Sequence, residues 1–431
     1  MSSFKPWQVL DLSMDEPIPD LPADPSISGV YAVIWWHDIP LGHLELSASM
    51  LPVPASYLTD LILTAVTPAV GDHLLDQDFR APLPMRGARS DRAPDYAEME
   101  TLRRPMEQLR DRFGLSEQRA ARTISVVVCT RERPEALERC LRSLDDLSVR
   151  PDEIIVVDNA PRTDATLQLV RSRPNITYVL EARPGLSKAR NAGLQHASGE
   201  IIAFTDDDVE VHPDWLMRLQ QGFSDPDVMA VTGLVLTAEI ETPAQLEFHR
   251  GGGGFGWGFR AITFDETFFQ QTKARGVPVW HIGAGSNMAF RRRVFSRIGT
   301  FDERLGAGAS GCSEDSEMWY RVLAHGLRCR YEPTSVVYHY HRREMRGLNE
   351  QMYQYMRGHV TALLIQFERF GHPGNLCRAF GILPVYYGRL TMRRVFRSRK
   401  PHMKTLRAQM LGSAAGLLYY WRCRGAARSG R

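Results

Sequence analysis

The stretch Glu200-Ile201-Ile202-Ala203-Phe204-Thr205-Asp206-Asp207-Asp208 decides how this chain is read. Its apolar part has the composition of a buried strand. Its last three residues are acids, and like charges clustered at a buried strand end repel strongly away from bulk water. A divalent cation is the usual remedy, and a hard ion such as Mg²⁺ or Mn²⁺ takes oxygen ligands together with phosphates. The strand end therefore predicts a metal-assisted site for a phosphate-bearing substrate. The competing reading is a solvated acidic loop leading into a helix, with Asp208 or Asp214 near its N-terminus.

Upstream of this stretch the pattern is regular. Residues 124–129 form an uninterrupted apolar strand. Residues 134–144 have helical spacing, with Leu137, Leu141 and Leu144 on one face. A second strand at 154–157 ends in Asp158-Asn159, and a helix (165–171), a strand (176–180) and a helix (186–197) follow. Strand and helix alternating in this way predict an α/β domain with a doubly wound, mostly parallel sheet. Ligands of such sheets bind beyond the carboxyl ends of the strands. Thr130-Arg131, Asp158-Asn159 and the acidic triplet all fall there, and that shared placement says more than any one of them.

Read in order, several segments resemble family 2 glycosyltransferases of the GT-A fold. They are Ser125 to Arg133 (with Cys129-Thr130-Arg131-Glu132), Ile155-Val156-Val157-Asp158-Asn159, Gly185-Leu186-Ser187-Lys188-Ala189-Arg190-Asn191-Ala192-Gly193, and Phe204-Thr205-Asp206-Asp207-Asp208. Gly283-Ala284-Gly285-Ser286-Asn287-Met288, Phe301-Asp302-Glu303 and Ser313-Glu314-Asp315-Ser316-Glu317 fit as well. The resemblance covers about residues 123–345. It implies a mixed GT-A sheet and a metal-dependent, inverting transfer from a nucleotide-diphosphate sugar, with UDP-sugar favoured, to an acceptor hydroxyl of a cell-surface glycan or glycolipid. By position, Thr130, Arg131 and Glu132 would frame the base and ribose, and Asp158 would accept the N3–H of uracil. Asp208 would hold Mn²⁺ or Mg²⁺, and Asp206 would bind ribose or, through water, the same ion. Asp315 would be the general base, with Glu314 a structural or acceptor contact. Asp207 would be a bystander or a weak contributor.

Some of these positions also have a logic of their own. Gly185 permits close backbone approach, and the helix start after it favours negative charge, so Lys188 or Arg190 is a candidate phosphate contact, Arg190 sitting closer to the family motif; a solvent-facing role is the alternative for both. The helix start at Glu314-Asp315 is suited to keeping a carboxylate ionised, although acids collect at such places for stability alone. In 337–341, period two puts His339 and His341 on one face; the resemblance makes His339 a metal ligand, against the plainer role of a packed histidine. The glycines of 251–258 suit an acceptor-side lid or an exposed loop.

The 431 residues are 43% hydrophobic and 24% charged, a globular composition with room for several domains. Six scattered cysteines without a C-x-x-C pair argue against a zinc site or a disulfide framework. The first residues lack a signal-peptide pattern, which predicts a cytoplasmic protein. A net charge of +3 hides an asymmetry. Residues 342–431 carry 18 Lys/Arg against 3 Asp/Glu, a net of +15, which leaves −12 for the rest. Such a tail points to an anionic partner: the inner face of the cytoplasmic membrane, with the enzyme peripheral on it, or a lipid-linked or polyanionic acceptor. Nucleic acid is not expected, since no recognised binding module is visible.

Four parts are predicted. Residues 1–80 form a small α+β hairpin-plus-helix module, its first 28 residues irregular and its helix ending near Thr67-Pro68. Residues 81–120 are a linker, 121–345 the GT-A domain, and 346–431 a basic helical extension with helices at 352–370, 383–396 and 406–421. Two other functions fit parts of the pattern: a nucleotidyltransferase-type phosphoryl enzyme, and a noncatalytic polyanion-binding protein driven by the tail.

Overall fold

The computed structural model describes residues 4–75, 122–253, 258–396 and 405–429. The linker expected over 81–120 lies outside the described residues. The chain divides into two compact units: Met1–Arg122 with Ala238–Thr242 and Gly258–Ala261, and Thr123–Thr237 with Pro243–Trp257 and Ile262–Arg431.

The first unit is a three-stranded sheet covered by one helix. Strand β2 (Gly29–Trp36) is buried along its whole length and lies between β1 (Trp7–Ser13), parallel to it, and β3 (Ile39–Ser47), antiparallel. The helix Ala55–Leu75 packs Leu58, Ile62, Val66, Ala69 and Val70 into the same core. Two expectations are corrected here. The irregular lead-in contains β1, whose strand signal was hidden among Pro, Asp and Ser residues. The helix also continues through Pro68, because burial of Ala69 and Val70 outweighs the lost backbone hydrogen bond.

The second unit is built on a nine-stranded mixed sheet, as the strand–helix rhythm predicts. Its order is β10 (Ile262–Phe264), β12 (Arg328–His339), β9 (Val228–Thr237), β11 (Met288–Arg291), β7 (Ile201–Asp206), β4 (Ile124–Thr130), β5 (Glu153–Asn159), β6 (Ile176–Glu181), with β8 (Val209–Val211) paired to β12. Strands β7, β4, β5 and β6 run parallel, and β11 is antiparallel to both its neighbours.

Helices cover both faces because β4 is apolar on both. Val126 and Val128 join Leu137, Leu141 and Leu144 of the helix Pro134–Asp145 in one core. Each leucine fully buried there contributes about 2 kcal/mol. Val127, pointing the other way, meets the helix Leu186–His196 at Gly193. A Cβ at that position would overlap Val127 Cγ1, so glycine sets how closely the helix approaches the sheet.

The C-terminal helices Met345–Phe370, Leu383–Phe396 and Leu406–Ser429 belong to this same unit. The first starts earlier than the sequence suggests, and the last runs beyond Trp421. Val360, Leu363 and Leu364 share a core with Leu305, Leu383, Tyr387, Leu406 and Tyr420. An ion-pair network ties the first of these helices to the domain: Arg369 to Glu317 (2.8 Å) and Asp302 (3.2 Å), and Arg304 to Glu368 (2.9 Å). Among the described residues, no helix is long and apolar enough to cross a membrane.

Candidate active site

Register brings the predicted residues to one rim. Across the parallel strands Cys129 pairs with Asp206 and Thr130 with Asp158, so the ends of β7, β4 and β5 lie side by side. β12 is parallel to β9 and so runs in the same direction as these strands, and its carboxyl end reaches the same rim, where it pairs antiparallel with β8. His339 is opposite Val209, and Tyr340 N–H donates to Asp208 O (3.0 Å). Asp206, Asp208 and His339 can each direct one ligand atom so that all lie within 4.8 Å of one another. His339 Nε2 is 3.5 Å from Asp208 Oδ1. The ring of His341 stacks on that of His339 at 4.5 Å, and burial holds its pKa down to about 2, so it packs there as a neutral ring. This agrees with the shared face read from period two.

Asp207, expected to be a bystander, is buried and structural. It accepts from Thr130 Oγ1 (2.7 Å) and Arg133 Nη1 (3.2 Å), and the same Arg133 nitrogen reaches Asp208 Oδ2 (3.0 Å). Burial, with the Asp208 charge beside it, raises the Asp207 pKa to about 6 despite Arg133 and Thr130. Period two along β7 was the available signal, since Asp206 and Asp207 must point to opposite sides. For Arg133, spacing offered none.

Arg190 is buried, with only 2% of its side chain exposed. Its guanidinium donates to Glu314 Oε1 (2.7 Å), Asp206 Oδ1 (3.1 Å) and Gly285 O (3.2 Å). Burial alone would lower its pKa, but Glu314 and then Asp206 hold it above its ordinary value. It thus joins the helix Leu186–His196 to β7 and to the helix Glu314–Ala324. The start of the helix Leu186–His196 is itself occupied. Gly185 N–H donates to Asn159 Oδ1 (2.8 Å) and Leu186 N–H to Ala307 O (2.8 Å). Asn191 exchanges two hydrogen bonds of 2.9 Å with the Phe301 backbone.

Glu314 and Asp315 open the helix Glu314–Ala324 directly after Ser313, which is left-handed at φ 71°. A non-glycine residue in that region is strained, and such strain collects at functional sites. Burial, opposed by Arg190, raises the Glu314 pKa to about 7, and Glu314 Oε2 is buried without a hydrogen-bond partner. Burial likewise raises the pKa of Asp315, whose Oδ1 accepts from Ser316 N–H (2.6 Å). The helix start was expected to favour the ionised form, and burial outweighs it. A raised pKa makes Asp315 the stronger base.

Asp158 is buried at the end of β5. Its Oδ2 accepts from Tyr178 OH (3.0 Å), its Oδ1 has no partner, and burial raises its pKa. A buried, unsatisfied acceptor at a strand end suits an N–H donor from a ligand. Glu132 is exposed at φ 56°, and its carboxylate accepts from Arg162 N–H (2.7 Å) and Thr163 N–H (3.2 Å), fixing the loop after β5. Arg131 is exposed beside it. In the glycine run, His249–Gly253 forms a helical turn, and 254–257 lie outside the described residues.

With this geometry in place, the likeness to known proteins is specific. Residues 125–299 match the model of the family described as Glycosyl transferase family 2. The chain is 28% identical over 230 residues to the pre-mycofactocin glycosyltransferase of Mycobacterium tuberculosis (strain ATCC 25618 / H37Rv), covering 52% of this chain and 44% of that protein. It is 27% identical over 298 residues to validoxylamine A glucosyltransferase of Streptomyces hygroscopicus subsp. limoneus, covering 64% of this chain and 61% of the relative. With the succinoglycan biosynthesis protein ExoM of Rhizobium meliloti (strain 1021) it shares 30% over 228 residues, covering 50% and 66%. The chain therefore spans between 44% and 66% of the lengths of these relatives. Among solved structures, a mannosyltransferase from Pyrobaculum calidifontis in complex with GDP-Man and Mn²⁺ superimposes with a TM-score of 0.46 at 20% identity, covering 84% of this chain and 97% of the other. The domain that carries the acidic rim of this chain is a member of glycosyl transferase family 2.

Proposed function

We propose that this chain is a metal-dependent, inverting glycosyltransferase that moves a sugar from a nucleotide-diphosphate sugar, UDP-sugar favoured, to an acceptor hydroxyl. The observation that carries the proposal is the Asp206–Asp208–His339 cluster within 4.8 Å at the carboxyl ends of the strands. Two carboxylates and an imidazole are a donor set for a divalent cation, and the imidazole favours Mn²⁺ over Mg²⁺. Bound there, the ion supplies charge for the leaving diphosphate. Arg190 holds Asp206 in position from behind. Asp158, with a free buried oxygen, accepts the N3–H of uracil, and Thr130, Arg131 and Glu132 shape the nucleotide end.

Asp315 takes the proton of the acceptor hydroxyl as its oxygen attacks the anomeric carbon. One bond to that carbon forms while the bond to the diphosphate oxygen breaks on the opposite side, which inverts the centre with no covalent sugar–protein stage. Glu314, held by Arg190, borders the acceptor side. The acceptor is a cell-surface glycan or glycolipid, lipid-linked in the second case, and the enzyme works at the inner face of the cytoplasmic membrane.

The test is turnover of a panel of nucleotide sugars with Mn²⁺, followed by release of the nucleoside diphosphate. Release of UDP that disappears in Asp208→Ala supports the proposal. Release of pyrophosphate instead would identify a nucleotidyltransferase.

A further inference from the structure

Eleven large hydrophobic side chains are exposed among the described residues, and eight of them lie between positions 380 and 421. On the helix Leu406–Ser429, Leu411 (53% exposed), Leu418 (62%) and Trp421 (60%) recur with the exposed Ala414 at three- and four-residue steps. That spacing makes one outward stripe, with exposed Arg407 and Arg422 at its two ends and the Arg424 guanidinium 5.6 Å over the Trp421 ring. The opposite face carries Gly412, Gly416 and Tyr420 and is buried, with Gly416 O accepting from Thr361 Oγ1 (3.2 Å) of the helix Met345–Phe370. The helix Leu383–Phe396 repeats the plan. Leu383 and Tyr387 turn inward, while Val385, Arg389 and Met392 are exposed. The two outward faces adjoin where Thr391 Oγ1 approaches Met410 Sδ (4.0 Å).

We propose that these two outward faces form one surface that lies flat on an anionic lipid bilayer, with Leu411, Leu418 and Trp421 entering the headgroup region and the arginines meeting lipid phosphates. The proposal makes the anionic partner of the basic tail specific, and it does not depend on the sugar-transfer chemistry. Charge and apolarity together select the occupant. From 371 to 431 the sequence has thirteen Lys/Arg and no Asp or Glu. Pairing two copies through this face would set the arginines against each other. A soluble polyanion would use the charge but leave the apolar stripe in water. An anionic bilayer uses both, since in-plane helices combine an apolar face, cationic residues and an interfacial tryptophan. No described helix is long and apolar enough to span, so contact is from one side.

Deleting 342–431 would remove Val360, Leu363 and Leu364 from the core, so exposed side chains make the cleaner test. The full chain is co-sedimented with vesicles of phosphatidylcholine alone and with about one-third phosphatidylglycerol. Wild type should bind the anionic vesicles at least about tenfold more tightly than the neutral ones. The variant Leu418→Glu/Trp421→Glu should lose at least about tenfold on the anionic vesicles, having lost two apolar contacts and gained two repelled charges. Equal binding of variant and wild type to the anionic vesicles, or no vesicle binding by wild type, overturns the proposal. A concentration-dependent dimer in light scattering that the variant abolishes, with vesicle binding unchanged, identifies a self-association face and overturns it as well. UDP binding on the same samples reports the rim separately, so failure here is not failure of the transferase.

Discussion

Replacing Arg190 by methionine isolates the charge at the centre of the rim. The guanidinium is buried and satisfies Glu314 Oε1, Asp206 Oδ1 and Gly285 O. Methionine fills similar volume but strands Glu314, whose other oxygen already lacks a partner. Breaking a buried ion pair from one side costs about 3 kcal/mol or more. Much of that cost appears only as Glu314 ionises. The Glu314 pKa is about 7 in the folded protein and 4.5 as the ordinary value. A carboxyl raised in this way contributes stability below about pH 4.5, and that contribution is lost as pH rises through about 7. Without Arg190 the folded value climbs further, so in the variant the loss continues past 7 at about 1.4 kcal/mol per pH unit while in wild type it has ended. At pH 6 Glu314 is still mostly protonated, so there the variant lacks only hydrogen bonds and the Asp206 pair and should be about 1–3 kcal/mol less stable than wild type; by pH 8 the deficit should be about 1–2 kcal/mol larger. The assay is urea unfolding of both proteins in a metal chelator at the two pH values. Adding Glu314→Gln to the variant should remove the extra pH dependence. A deficit that is the same at both pH values, and unchanged by Glu314→Gln, would refute the view that Arg190 exists to neutralise Glu314.

Three other outcomes follow from the same geometry. Asp315→Asn should lower kcat by a factor of about 10² or more with little change in donor KM, since it removes the proposed base and leaves the proposed nucleotide contacts; steady-state kinetics on the donor checks this. Arg133→Ala should increase the Mn²⁺-induced rise in Tm, because Arg133 competes with a cation for Asp208 in the metal-free protein; a smaller rise would mean that Arg133 supports the ion. Gly193→Ala should destabilise by about 1–3 kcal/mol, because its Cβ meets Val127 in a packed layer; chemical denaturation measures it.

Much of the sheet was legible because its strands are apolar and end in polar residues. The runs before Thr130, Asp158 and Asp206 each read as a strand, and the register sets those ends side by side. The first strand of the small unit escaped because its alternation, with only Trp7 and Leu12 buried, is too weak to stand out from its surroundings. Pro68 does not end its helix, because burial of the residues after it outweighs the local preference of proline. At the rim, the family resemblance named Asp206, Asp208 and His339, two of them 131 to 133 positions from the third, and the fold brings the three together. That resemblance could not reveal that Arg190 is consumed by Glu314 and Asp206, or that Asp207 is bound to Thr130 and Arg133. Those partners come from four separate segments, and their meeting is a property of packing.

The claim on which the account rests is that Asp206, Asp208 and His339 hold a divalent cation which in turn holds the nucleotide diphosphate. Calorimetric titration of UDP into chelator-treated protein, with and without Mn²⁺, tests it most directly. Wild type should bind UDP only weakly without the ion and at least about tenfold more tightly with it, and Asp208→Ala should lose that gain. Binding of UDP that is equally tight without Mn²⁺, or a gain that survives in Asp208→Ala, would contradict it.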